Sequence, residues 1–120
     1  MSRPKKGETW NTEKHYGCRV LKYPVGERLS EISAKQGKRF GNLCNTVIKK
    51  YLAETENEFE FSPETASIML DKVTEDNPKI NFTLYLTDEE HAKLKTVSSN
   101  MGISMNRLAV CFLREFVKEV

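Results

Sequence analysis

The chain is poor in the residues from which cofactor sites are built. Its only histidines, His15 and His91, lie too far apart for a standard metal set, and its three cysteines, Cys18, Cys44 and Cys111, include no Cys-x-x-Cys pair. That argues against a zinc ribbon and a disulfide scaffold, and an odd number of thiols fits a reducing, cytoplasmic setting. Long apolar runs are missing too. Nothing approaches the ~20 residues of a membrane span, and the basic start Met1-Ser2-Arg3-Pro4-Lys5-Lys6 has no apolar segment behind it, unlike a secretory signal. There is no P-loop, no Gly-x-Ser-x-Gly elbow and no paired-carboxylate arrangement, so no enzymatic activity, cofactor or metal is expected. With 38% hydrophobic and 30% charged residues in 120 positions, the expectation is a soluble domain with a modest core. Half of such a chain would be marginal without a partner.

The net charge of +2 conceals a strong segregation. Residues 1–52 hold twelve Lys/Arg against four acids, residues 53–78 hold eight acids against Lys72, and residues 79–120 are almost balanced. A basic half and a neutral half therefore flank an acidic connector, and the basic half points to a polyanionic partner.

The pattern divides the chain into four segments. Residues 1–15 are polar and aperiodic, a flexible basic arm carrying Arg3, Lys5 and Lys6; Trp10 within it has no assigned role. Residues 16–52 begin with a β-capable run, Tyr16 to Tyr23, closed by Pro24. Helical spacing follows at Val25, Leu29 and Ile32, then a Gly37 stop, then a second helix with Phe40, Leu43, Val47, Ile48, Tyr51 and Leu52. Residues 53–78 form the acidic connector, in which Ser62-Pro63-Glu64 starts a short helix with Ala66, Met69, Leu70 and Val73 on one stripe. Residues 79–120 open with a strict alternation: Ile80, Phe82, Leu84 and Leu86 on one face, Asn81, Thr83 and Tyr85 on the other. Thr87 and Glu90 form a capping box for a helix with Leu94, Val97 and Met101. Gly102 ends that helix, and Ser104 caps a last one with Met105, Leu108, Phe112 and Phe116.

The chain thus repeats. A shift of 65 residues places Gly37 on Gly102, Leu29 on Leu94, Ile32 on Val97, Leu43 on Leu108, Val47 on Phe112 and Tyr51 on Phe116. Each half reads strand, helix, glycine turn, helix, and an internal repeat outranks a single-motif reading. The strands align badly: the same shift puts Phe82 on Gly17 and Leu84 on Arg19. Gly17 marks a bulge, or the strand is displaced by one, which would exchange its two faces. One register exposes Cys18 and Val20, the other Arg19 and Leu21; charge favours the second.

This pattern, best carried by Phe82-Thr83-Leu84-Tyr85-Leu86-Thr87, Gly102 and Ser104, resembles the ribbon-helix-helix (MetJ/Arc) family of DNA-binding proteins. Residues 79–117 match well and 16–52 more loosely, and two copies in one chain resemble the TraY class of conjugation accessory proteins. The resemblance implies a mainly α fold with a short antiparallel β-ribbon, two ribbon-helix-helix repeats forming an intramolecular pseudo-dimer. It implies sequence-specific binding of double-stranded DNA, as a repressor or a conjugation accessory factor of a plasmid or phage, at an asymmetric or repeated site. Self-association on DNA and a relaxase or other protein partner go with that role. In the family, outward strand residues meet base edges; carried over, these are Asn81, Thr83 and Tyr85, and on the first strand charge adds Arg19. Phosphate contacts are carried to the start of the second helix, Ser104, Met105, Asn106 and Arg107, and to Lys38 and Arg39 in the first half, where Arg39 replaces the capping residue. Lys22 and Lys79 at the strand ends are further phosphate candidates. The arm, Arg3, Lys5 and Lys6, would follow the backbone or enter a minor groove. Two rivals stand beside this reading: a helix-turn-helix around Gly102-Ile103-Ser104, and an antitoxin-like interaction module engaging a basic protein through residues 54–76.

Overall fold

The computed structural model describes residues 14–59 and 78–119. The connector helix expected over residues 63–73, Trp10, and the arm residues Arg3, Lys5 and Lys6 lie outside them. The described chain is mainly helical: strand β1 (Lys14–Leu21), helices α1 (Glu27–Gln36) and α2 (Phe40–Glu54), strand β2 (Lys79–Leu86), helices α3 (Asp88–Met101) and α4 (Met105–Glu119). The two strands pair with each other, antiparallel, in an unbroken register running from Lys14 opposite Leu86 to Leu21 opposite Lys79.

The second strand behaves as its alternation predicts. Phe82, Leu84 and Leu86 are buried while Lys79, Asn81, Thr83 and Tyr85 are exposed. The first strand corrects the expectation in two respects. It starts at Lys14, two residues earlier than expected, and it ends at Leu21, leaving Lys22 and Tyr23 in a wide turn, Lys22–Gly26. Gly17 makes no bulge. Cys18 and Val20 are buried and Arg19 is exposed, so the register is the one that charge favoured. Tyr16, Cys18 and Val20 therefore correspond in facing to Phe82, Leu84 and Leu86, an offset of 66 where the helices keep 65. The wide turn holds the extra residue. Its Gly26 sits so close to the ribbon that a Cβ there would lie 2.9 Å from the Leu21 carbonyl oxygen and 2.7 Å from Ile80 Cδ1.

The helices end and begin by local chemistry. Thr87 Oγ1 accepts the Glu90 N–H at 3.1 Å and the Glu90 carboxylate accepts the Thr87 N–H at 2.9 Å, which satisfies two of the donors a helix start leaves open. Gly37 and Gly102 stop α1 and α3 in the left-handed region, φ 66° and 70°, which a side chain would strain. The surrounding bonds recur at the same spacing: Gly37 and Lys38 donate to Ala34 and Ser33, Gly102 and Ile103 to Ser99 and Ser98. Buried Ser33 and Ser98 each return a hydroxyl to the carbonyl three residues back. At the start of α4, Ser104 Oγ accepts the Arg107 N–H; α2 has Arg39 in that place and no side-chain cap.

One core joins both halves. Phe112 is fully buried against Tyr51 and Phe59, with ring centroids 5.9 and 4.8 Å away. Leu29, Ile48, Leu84, Leu94 and Leu108 are buried with it, as are Ala109, Cys111 and Leu113, which extend the α4 stripe beyond its expected positions. Burial of such side chains, ~1.5–3 kcal/mol each, holds this small domain together. The packing is crossed: α2 lies against β2 and α4, and α4 lies against β1. The segment before α3 is strand, so a helix-turn-helix would find no third helix there. Among the described residues no helix is long and apolar enough to cross a membrane.

Candidate nucleic-acid interface

Inward alternation on both strands leaves one outward ribbon face. Cross-strand pairing arranges it in four rows: His15 with Tyr85, Gly17 with Thr83, Arg19 with Asn81, Leu21 with Lys79. At about 6.8 Å per row the face is some 20 Å long. Neither strand contains an acid. The His15 and Tyr85 rings meet edge to face at 4.8 Å between centroids, which steadies the Tyr85 ring at one end. Among the described residues other than its chain neighbours, no atom lies within 4 Å of where a Gly17 Cβ would stand, so Thr83 faces an open place across the ribbon. Arg19 and Asn81, both exposed, stand opposite each other in the third row.

The structure thus brings the four base-contact candidates, Asn81, Thr83, Tyr85 and Arg19, onto one face. It separates the phosphate candidates. Lys79 ends the ribbon beside Leu21. Lys22 is in the wide turn, half-buried, its Nζ 5.1 Å from the Tyr23 ring centroid and its N–H bonded to the Pro78 carbonyl at 2.8 Å. Exposed Lys38 and Arg39 precede α2 on the β2 flank. Ser104 is the helix cap described above, Met105 is half-buried against the core, and Arg107 is exposed. The Asn106 side chain is turned to β1, where its oxygen accepts the Arg19 N–H at 2.8 Å and its nitrogen donates to the Arg19 carbonyl at 3.2 Å.

Residues that sequence reasoning passed over complete the β2 flank. Two grooves adjoin there, of about 460 and 530 Å³. One runs between Arg39, Phe40 and Asn42 and the strand residues Asn81 and Thr83. The other is lined by Lys38, Asn42, Asn45, Thr46, Lys49 and Tyr85. Asn42, Thr46 and Lys49 recur every three or four residues along α2, a polar stripe that helical spacing could have revealed. Asn45 carried no such signal. Its side chain donates to the Thr83 carbonyl and accepts the Tyr85 N–H, each at 2.8 Å.

Acids gather elsewhere. A hollow of about 500 Å³ at the C-terminal end of α2 is lined by Glu54, Glu56, Glu58, Glu115 and Glu119 with Lys50. The Tyr51 hydroxyl donates to Glu119 at 2.8 Å, and burial followed by that carboxylate raises its pKa. The thiols offer no reactive group. Cys18, which the other register would have opened on the ribbon, is buried beneath it, and desolvation pushes Cys18, Cys44 and Cys111 up to about 12. Among the described residues no cluster of three or more His, Cys, Asp or Glu could hold a metal ion. Compared with known proteins, the chain matches no family model, no curated protein and no solved structure at a significant level.

Proposed function

We propose that the protein binds double-stranded DNA in a sequence-specific way, as a ribbon-helix-helix protein whose two units pair within one chain. The observation that carries the reading is the outward ribbon face, free of acids, with Arg19, Asn81, Thr83 and Tyr85 displayed together and Lys38, Arg39 and Lys49 along one flank. A two-stranded ribbon fits the major groove, where Arg pairs with guanine, Asn with adenine, and Thr meets the thymine methyl or a hydrogen-bonding edge. The flanking cations supply the salt-dependent, sequence-independent part of the affinity. Arg3, Lys5 and Lys6 would add to it from the arm. The recurrence of the helix-turn bonds at 65 residues and the crossed packing of α2 on β2 and α4 on β1 support the pseudo-dimer. Unlike residues on the two strands favour an asymmetric site over a palindrome. The role is repression or DNA processing in conjugation, with self-association on adjacent sites and a protein partner such as a relaxase.

Selection of a preferred duplex followed by titration tests the reading. Alanine at Arg19, Asn81 or Thr83 should each cost about 1–3 kcal/mol on the selected duplex and little on random DNA. Alanine at Lys38 or Arg39 should weaken both and lower the salt slope by about one. Absence of any salt-sensitive duplex complex overturns it and would leave the acidic connector, as a module for a basic protein, the better account.

A further inference from the structure

A two-stranded ribbon has two open edges, each a row of backbone donors and acceptors. Here each edge is met by one asparagine from the second helix of the other half. Asn45 of α2 bonds Thr83 and Tyr85 on β2, and Asn106 of α4 bonds both backbone groups of Arg19 on β1. A primary amide presents its donor and acceptor side by side, as a peptide edge does, so each asparagine adds one more rung to the ladder. Asn45 is held in turn, its nitrogen also donating to the Gly41 carbonyl at 2.8 Å.

The two are not repeat counterparts. The 65-residue shift maps Asn45 onto Val110 and Asn106 onto Gly41, so the same junction is made from the sixth residue of α2 and the second residue of α4. Four residues of helix amount to about 6 Å. The start of α2, with Lys38 and Arg39 before it, therefore extends that much farther beyond its junction than the start of α4 does.

We propose that Asn45 and Asn106 are positioning residues that hold the base-reading strands in register with the helix starts beside them, each governing its own part of the DNA site. The proposal rests on the DNA-binding reading. The backbones they hold belong to Thr83, Tyr85 and Arg19, three of the four residues that reading places against base edges. A reader held in place before binding loses less conformational freedom on binding, and this advantage applies only where its geometry matches the bases. Removal of either amide should therefore lower discrimination more than overall attraction to DNA.

Two measurements on the full chain separate the possibilities. In the free protein, amide hydrogen exchange should quicken about tenfold or more at Tyr85 in Asn45→Ala and at Arg19 in Asn106→Ala, with the inner ribbon and Phe112 region still protected. On duplex selected with wild-type protein, the ratio of specific to random-DNA affinity should fall about tenfold in each variant. Base preference should relax on the Thr83–Tyr85 side for the first variant and on the Arg19 side for the second. Asn45→Asp, which keeps the acceptor for the Tyr85 N–H, should retain that amide's protection and serves if the alanine variant unfolds. Unchanged exchange at Tyr85 and Arg19 overturns the junctions. Faster exchange with an unchanged affinity ratio overturns their positioning role. A wild-type protein with no preference among duplexes overturns the DNA reading itself, and shows this before any variant is compared.

Discussion

The pairing of β1 with β2 inside one chain can be trapped covalently. Gly17 stands opposite Thr83 on the outward face. The Thr83 carbonyl is bonded to Asn45, away from β1, so this pair is of the non-hydrogen-bonded kind, with Cα atoms about 4.5 Å apart. That lies within the range a disulfide spans. A Cβ at Gly17 meets nothing within 4 Å among the described residues beyond its chain neighbours, and its φ is not among the positive ones, so Gly17→Cys brings no local backbone strain. Oxidised Gly17→Cys/Thr83→Cys closes a loop of about 66 residues, for which chain entropy sets an upper stabilisation of roughly 4 kcal/mol. With a urea dependence near 2 kcal/mol/M, the midpoint would rise by about 2 M. The three native thiols do not compete, being buried with pKa values near 12. Non-reducing electrophoresis after oxidation at low micromolar protein should show a fast-running monomer, and urea melts with and without reductant should differ by the stated shift. A covalent dimer in place of the monomer would mean that the strands pair between two chains, and the intramolecular ribbon would be wrong.

Other consequences follow from particular residues. Because burial raises the folded-state pKa of Cys18, Cys44 and Cys111 above their ordinary value of 9.0, thiolates form first in the unfolded chain; the thiols' contribution to stability is whole below pH 9 and is lost as the pH rises toward 12. A thiol reagent at pH 8 should accordingly label none of the three until denaturant is added, and prompt labelling of Cys18 would mean that the ribbon lies open. Gly26→Ala should cost about 1–3 kcal/mol in a urea melt, since its Cβ would meet the Leu21 carbonyl; a neutral result would show that the wide turn relaxes freely. Phe112→Ala, at the junction of both halves, should cost about 3–5 kcal/mol and melt α2 and α4 together. Separate transitions for the halves would contradict the single core.

What the sequence determined by itself is what neighbours along the chain decide. The facing of β2 follows from eight alternating residues, the start of α3 from Thr87 and Glu90, and the ends of α1 and α3 from glycines in the left-handed region. The half-buried stripes of α2 and α4 follow from a period of 3.6. Each is a local consequence of backbone geometry, so the base-contact candidates on β2 were legible before any tertiary contact was known. The first strand was not. Gly17 and Cys18 are small and ambiguous, and only pairing with β2 assigned Cys18 to the core and Arg19 to the outer face. The extra residue of the first half became a wide turn because the strand had to keep its inward face while the helices kept their 65-residue spacing. The roles of Asn45 and Asn106 were beyond any local pattern, because each acts on backbone 38 or more residues away, and an asparagine on a helix looks the same whether it faces water or a strand edge. Tertiary structure decided those roles, since only the folded chain brings the second helix of one half against the strand of the other.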